Sequence, residues 1–299
     1  MRVGVVILPD QRWAEAARRW RSAEQFGFDH AWTYDHIGWR SLVDGPWFDA
    51  AVTLTAAAGV TETIRLGTMV ASPHFRHPVP FARVVTALDD VSGGRFTLGV
   101  GAGTVGAAYD AVVQGQPVLS DRARTDRFAE FLDLLDRLLR EDRASAEGQY
   151  FSAVDARSTP GCVQVPRVPF VVAANGPRAQ RLAARYGQGW VTTGGAAQTL
   201  DGWWRTVGEL SARFTEALTA AGRDPATVDR YLNLDSAPVY SLSSVAAFVD
   251  AVGRAAELGF TDVLTHWPRR ATHEVDWYVG DESVLETVAA EVLPGVRAR

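Results

Sequence analysis

The feature that most constrains this chain is an alternation, repeated eight times, of a short apolar run with an amphipathic stretch. Continuous apolar runs suit strands buried on both faces, and helical periodicity between them suits helices that cover those strands, so the pattern predicts parallel strands joined by helices. Strands are expected over residues 3–8, 30–34, 64–70, 96–100, 168–173, 189–193, 231–236 and 261–265. Helices are expected over 13–26, 48–60, 79–91, 122–139, 178–186, 200–221, 244–258 and 283–292, the first ending at a left-handed Gly27 cap. With no dividing linker, residues 1–299 read as one α/β domain, a (β/α)8 TIM barrel with insertions after strands three and four. A doubly wound open sheet is the structural alternative.

Composition narrows the setting. At 47% hydrophobic and 22% charged, the chain can bury a large core without staples. Cys162 is its only cysteine, which excludes an intrachain disulfide and makes a reducing cytoplasm the simplest expected location. The apolar stretch before Pro9 is too short for a signal sequence or a membrane span, so an unexported, soluble protein is expected. A net charge of -5 gives no global attraction to nucleic acid or anionic membranes. Ten tryptophans are many for this length, and several sit near expected loops, where they could wall a planar ligand or simply pack.

In a barrel, chemistry sits on the loops that follow strands, and four such loops carry suitable residues. After strand two come Asp35 and His36; the histidine can exchange a proton near neutral pH, and the aspartate can orient the loop or hold polar atoms of a cofactor. After strand three, the segment from Gly67 to Pro78 holds His74 and His77, whose surroundings lack a recognisable metal-ligand spacing, so no metal is expected. After strand four, Gly99, Gly101 and Gly103 would let a backbone approach a flat ring, or make a tight turn. This is not GxGxxG, and a Rossmann assignment is weak. After strand five, Asn175 is a good N-cap, Pro177 suits a first helical turn, and free amides plus Arg178 would attract a phosphate.

These loops resemble the luciferase-like flavin-dependent oxidoreductase superfamily, particularly members similar to coenzyme F420-dependent reductases and dehydrogenases. The likeness covers roughly residues 1–270 and is most specific in IRLGTMVASPHFRHP, LDDVSGGRFTLGVGAG and NGPRAQRLAARYGQGW. It implies a cofactor ring in the barrel mouth, against a strand-three bulge whose non-prolyl cis peptide would be Met69-Val70. It further implies that Asp35 and Thr68 contact polar atoms of the cofactor, that Ala102 and Gly103 lie beside the ring, and that Asn175, Gly176, Pro177 and Arg178 receive its phosphate. His36 matches the family's histidine near the reactive ring carbon and is the expected catalytic residue.

The sequence also departs from that pattern. Sugar-phosphate dehydrogenases of the family carry a glutamate where this chain has Thr104; their tryptophan stands one residue later than Trp39; their phosphate-gripping lysine is replaced by Ala196. With Trp39, Thr104 and Thr193 as candidate substrate contacts, and an aromatic cast to residues 39–47 and to the excursion from Tyr150, a neutral organic substrate is expected. The expected reaction is hydride transfer between reduced F420 and an unsaturated organic substrate, with His36 as proton donor or hydride-side stabiliser, the alternatives being an FMN-dependent monooxygenase and a non-catalytic flavin-binding relative. The resemblance also implies a homodimer.

Overall fold

The computed structural model describes residues 1–103, 109–270 and 278–297. Eight parallel strands close into a barrel: β1 (Arg2–Val6), β2 (His30–Thr33), β3 (Arg65–Thr68), β4 (Phe96–Gly101), β7 (Phe170–Ala173), β8 (Gly189–Thr192), β9 (Asp229–Asn233) and β10 (Asp262–His266), in that order around the ring. Closure comes from β1 pairing with β10, Arg2 opposite Asp262 through Val6 opposite His266. This excludes the open-sheet alternative. Because each strand is buried on both faces, its side chains divide between two cores. Val3, Val5, Ala31, Leu66, Leu98, Val172 and Val263 pack outward against the helices. Val6, Trp32, Met69, Val171, Val191, Tyr231 and Leu264 fill the interior. The period-two alternation of strand side chains is invisible in the sequence because both sets are apolar.

The helices are α1 (Trp13–Gln25), α2 (Ala50–Ala58), α3 (Pro78–Val91), a short α4 (Tyr109–Val112), α5 (Asp121–Arg140), α6 (Pro177–Tyr186), α7 (Leu200–Ala220), α8 (Val245–Glu257) and α9 (Glu282–Thr287). A π-helical turn, Val288–Val292, leads from α9 into α10 (Leu293–Arg297), where one continuous helix was expected. Side-chain caps fix several starts: Asp49 accepts from Val52 N, Ser120 from Ala123 N, and Ser244 from Ala247 N. The Asp49 cap moves the start of the second helix inward from the expected Phe48. Gly27 takes φ +83° after α1, as the cap required.

The excursion from Tyr150 is a correction. Between α5 and β7 the chain forms an antiparallel hairpin, β5 (Arg143–Glu147) and β6 (Ser152–Arg157), absent from the sequence reading. It is rooted on a helix-to-strand connection and lies along the outer faces of α3 and α5. Phe151 packs edge-on to Phe131 of α5 and to His77, and Arg83 of α3 donates to the Thr159 carbonyl at 2.7 Å. Its aromatic residues therefore belong to the strand-helix layer, not to the mouth. Among the described residues, no helix is long and apolar enough to cross a membrane.

Candidate active site

The mouth is built on the wall between β3 and β4. On β4 the inward positions are Gly99 and Gly101, and both are filled by β3: a Cβ on Gly99 would stand 1.8 Å from the Thr68 carbonyl oxygen, and one on Gly101 2.9 Å from Val70 Cγ2. The glycines at these two positions admit the protein's own bulge. Thr68 Oγ1 donates to the Gly99 carbonyl at 2.7 Å, and the Ala71 amide donates to the same oxygen at 2.8 Å. The Met69-Val70 peptide is cis.

His36 stands three residues past the end of β2. Its Nδ1 lies 2.6 Å from Oδ2 of Asp110, whose other oxygen accepts from the Ile37 amide at 2.8 Å. Asp110 is fully buried. A carboxylate only accepts, so the proton of a neutral His36 ring sits on Nδ1 and Nε2 keeps its lone pair. Trp39 stacks on His36 with centroids 4.6 Å apart, and the Trp47 indole donates to the His36 carbonyl at 2.7 Å. From the loop between Trp39 and Trp47, Leu42 joins the interior apolar cluster and both tryptophans pack on it, together with Val70, Ala173 and Tyr278. The Arg40 guanidinium lies over the Trp39 ring, 4.8 Å from its centroid.

Other candidate residues are occupied within the protein. Asp35 is buried, and Arg76 binds both of its oxygens, at 2.6 and 3.2 Å. Burial pushes its carboxyl up while the Arg76 guanidinium pulls it down. Gly103, at φ +72°, is roofed by His74, whose Nε2 would meet an added Cβ at 2.1 Å. Among the described residues that buried nitrogen has no hydrogen-bond partner, and burial holds the ring below the usual histidine range. His77 caps α3, accepting from Val79 N. Ala102 packs against the outer core. Thr104 lies outside the described residues. Among those described, no group of three or more His, Cys, Asp or Glu could hold a metal.

At α6 the cap differs from expectation. Gly176, not Asn175, is the N-cap, with no side-chain hydrogen bond to the first amides, and Pro177 opens the helix. Asn175 is drawn away because its amide ties two strand ends together, donating to Thr193 Oγ1 at 2.8 Å and accepting from Thr192 Oγ1 at 2.7 Å. Arg178 pairs with Asp126 of α5.

The sequence reading missed a second polar group at the mouth. Tyr34 Oη lies 2.9 Å from His266 Nε2 and 2.9 Å from Tyr278 Oη, and His266 Nδ1 lies 2.9 Å from Asp235. Tyr278 stacks flat on His266 at 3.6 Å. Tyr34, Asp235 and His266 follow β2, follow β9 and end β10 respectively. A polar residue closing an apolar strand was the available signal. Asp110 offered none, standing 74 residues from its partner.

A closed barrel with an oriented histidine and an aromatic mouth at its strand ends has the form of a (β/α)8 enzyme. The model of the luciferase-like monooxygenase family matches residues 1–281, and the chain belongs to that family. It is 32% identical to an F420-dependent glucose-6-phosphate dehydrogenase of Beutenbergia cavernae, over 93% of this chain and 91% of that protein. It is 33% identical to an F420-dependent hydroxymycolic acid dehydrogenase of Mycobacterium tuberculosis, over 78% of this chain and 61% of that one. The fold matches that of an F420-dependent secondary alcohol dehydrogenase, solved with an F420-acetone adduct, at TM-score 0.82 and 20% identity over 99% of both chains.

Proposed function

We propose that this protein is a coenzyme F420-dependent oxidoreductase that moves a hydride between the deazaflavin and a small, uncharged organic substrate. The carrying observation is His36, held through Nδ1 by buried Asp110 so that Nε2 is left to hydrogen-bond at the reacting centre. Its relatives' F420 dependence supports the choice of cofactor. The residues fit such a group. The first amides of α6 have no side-chain cap, and nothing stands within 4 Å of where a Cβ on Gly176 would be, which leaves room for a phosphate at a helix N-terminus. Buried Trp39 Nε1 and His74 Nε2 have no partner among the described residues and are positions a bound ligand can satisfy. When bound, the deazaflavin supplies the hydride-carrying carbon; the protein orients it, excludes water and handles the proton.

Met69, Val70 and Ala173 would floor the ring and Asn175 to Arg178 would surround the phosphate, with Asp35 and Thr68 acting through Arg76 and Gly99. Tyr34, Trp39, Leu42 and Trp47 give the substrate space apolar walls, which supports an uncharged substrate. Exposed Ala196, in place of a lysine, supports it too. The test is a titration of the apoprotein with F420 and, separately, with FMN. F420 should bind tighter; tighter FMN binding with oxygen consumption on reduction refutes the reading. His36→Ala should lower turnover about 10²- to 10³-fold, the usual contribution of one preorganised hydrogen-bonding group at the reacting centre.

A further inference from the structure

Oxidation of an alcohol releases one proton for each hydride, and His36 is not the only group at the mouth able to take it. The directions of the hydrogen bonds around His266 follow from its partners. Asp235 Oδ2 can only accept, and it lies 2.9 Å from His266 Nδ1, so that nitrogen carries the proton of the neutral ring. Nε2 is then an acceptor, and Tyr34 must donate to it across 2.9 Å. With its proton committed there, Tyr34 Oη can only accept from Tyr278, also at 2.9 Å. One acceptor position remains on the Tyr34 oxygen.

The line is buried throughout and firmly seated. His266 is fully buried, Tyr34 is 5% exposed and Asp235 8%. Asp235 also accepts from the amides of His266 and Ser241, and Thr265 Oγ1 lies 3.3 Å away; Tyr240 Oη donates to the His266 carbonyl. Among the described residues, the charged groups that act on the line are Asp235, Arg40 and Arg269. The open end belongs to the site: the Tyr34 ring meets Trp39 edge-on at 5.1 Å and His36 at 6.0 Å.

We propose that Tyr34, His266 and Asp235 form a proton-accepting line that takes the hydroxyl proton of a secondary-alcohol substrate as its hydride leaves for oxidised F420. The proposal rests on the reading of the site as an F420-dependent hydride-transfer centre. In the step, the carbinol C–H bond breaks with its electron pair, which reduces the cofactor, and the O–H bond breaks as the carbonyl forms. The substrate proton passes to Tyr34 Oη while the tyrosine proton passes to His266 Nε2, and Asp235 faces the resulting imidazolium. Tyr34 is the residue that touches substrate; His266 and Asp235 act through it.

The experiment uses the full chain with oxidised F420 and the secondary alcohols 2-propanol and cyclohexanol, following cofactor reduction in H2O and D2O. Tyr34→Phe should lower kcat about 100-fold or more. It should also change the solvent isotope effect on kcat, with KM and the F420 dissociation constant little altered. His266→Gln keeps an acceptor for Tyr34 but cannot take a proton, and should lose kcat comparably. As a readout free of turnover, nitrogen NMR of the wild type should show His266 protonated on Nδ1. Unchanged kcat and isotope effect in both variants, a His266 protonated on Nε2, or no turnover of either alcohol would overturn the line. F420 binding itself tests the underlying reading separately.

Discussion

Asp110→Asn isolates what the buried carboxylate does for His36. Asp110 makes two bonds, to His36 Nδ1 at 2.6 Å and from the Ile37 amide at 2.8 Å. An asparagine can keep only one of these in its present sense. If its carbonyl keeps the Ile37 amide, its NH2 faces Nδ1 and forces the imidazole proton onto Nε2, the nitrogen proposed to serve the reacting centre. A hydrogen bond to a charged group contributes about 1.5–3 kcal/mol, so the mis-set tautomer should cost about 10- to 160-fold in kcat. The backbone bond survives, so the melting temperature should fall little. Two assays apply: steady-state reduction of F420, and long-range proton-nitrogen correlation NMR, which reads the protonated nitrogen directly. If His36 in Asp110→Asn still carries its proton on Nδ1, or kcat is unchanged, Asp110 does not set the ring and the reasoning fails.

Gly99→Ala places a Cβ 1.8 Å from the Thr68 carbonyl oxygen, a backbone atom with no room to retreat. Overpacking of this kind costs about 1–3 kcal/mol, or about 2–5 °C in melting temperature at the usual unfolding entropy per residue. Calorimetry should show that loss together with weaker F420 binding; an unaltered melt and affinity would mean the bulge is not held by that contact. Stability should also fall in acid on account of His266. Burial depresses its folded pKa, so the folded state excludes a proton that the unfolded chain binds below about pH 6.5. The stabilisation is complete above that value and is lost as pH falls through the lower folded pKa. Melting temperatures measured from pH 7 to pH 5 should drop less steeply in His266→Gln than in wild type, and equal slopes would refute the assignment.

The fold was legible because barrel formation is written in local terms: apolar runs long enough to cross a sheet, amphipathic helices between them, and loops short enough to leave little choice of topology. The strand-end rule located His36 and the segment through Met69 and Val70, since active-site loops follow strands by construction. Residue types at a strand end do not say which way a side chain turns, however. Asp35 bonds Arg76 and Thr68 bonds the Gly99 carbonyl, partners no local pattern names, because buried polar atoms take whatever partner closure brings to them. Asn175 was read as a cap and instead cross-links β7 to β8. The hairpin of β5 and β6 escaped notice because its strands alternate weakly and lie on helices rather than in the barrel.

What the sequence by itself determined was the alternation of strands and helices, and hence the ring of loops on which chemistry could sit. Only the tertiary structure decided which residues act together. His36 meets Asp110 across 74 positions, and Tyr34 meets His266 across 232, distances in the chain that no local pattern encodes. The second pair exists because the eighth barrel strand returns to the first and carries its terminal histidine to the tyrosine that follows the second strand; the first pair joins the loop after β2 to the short helix that follows β4.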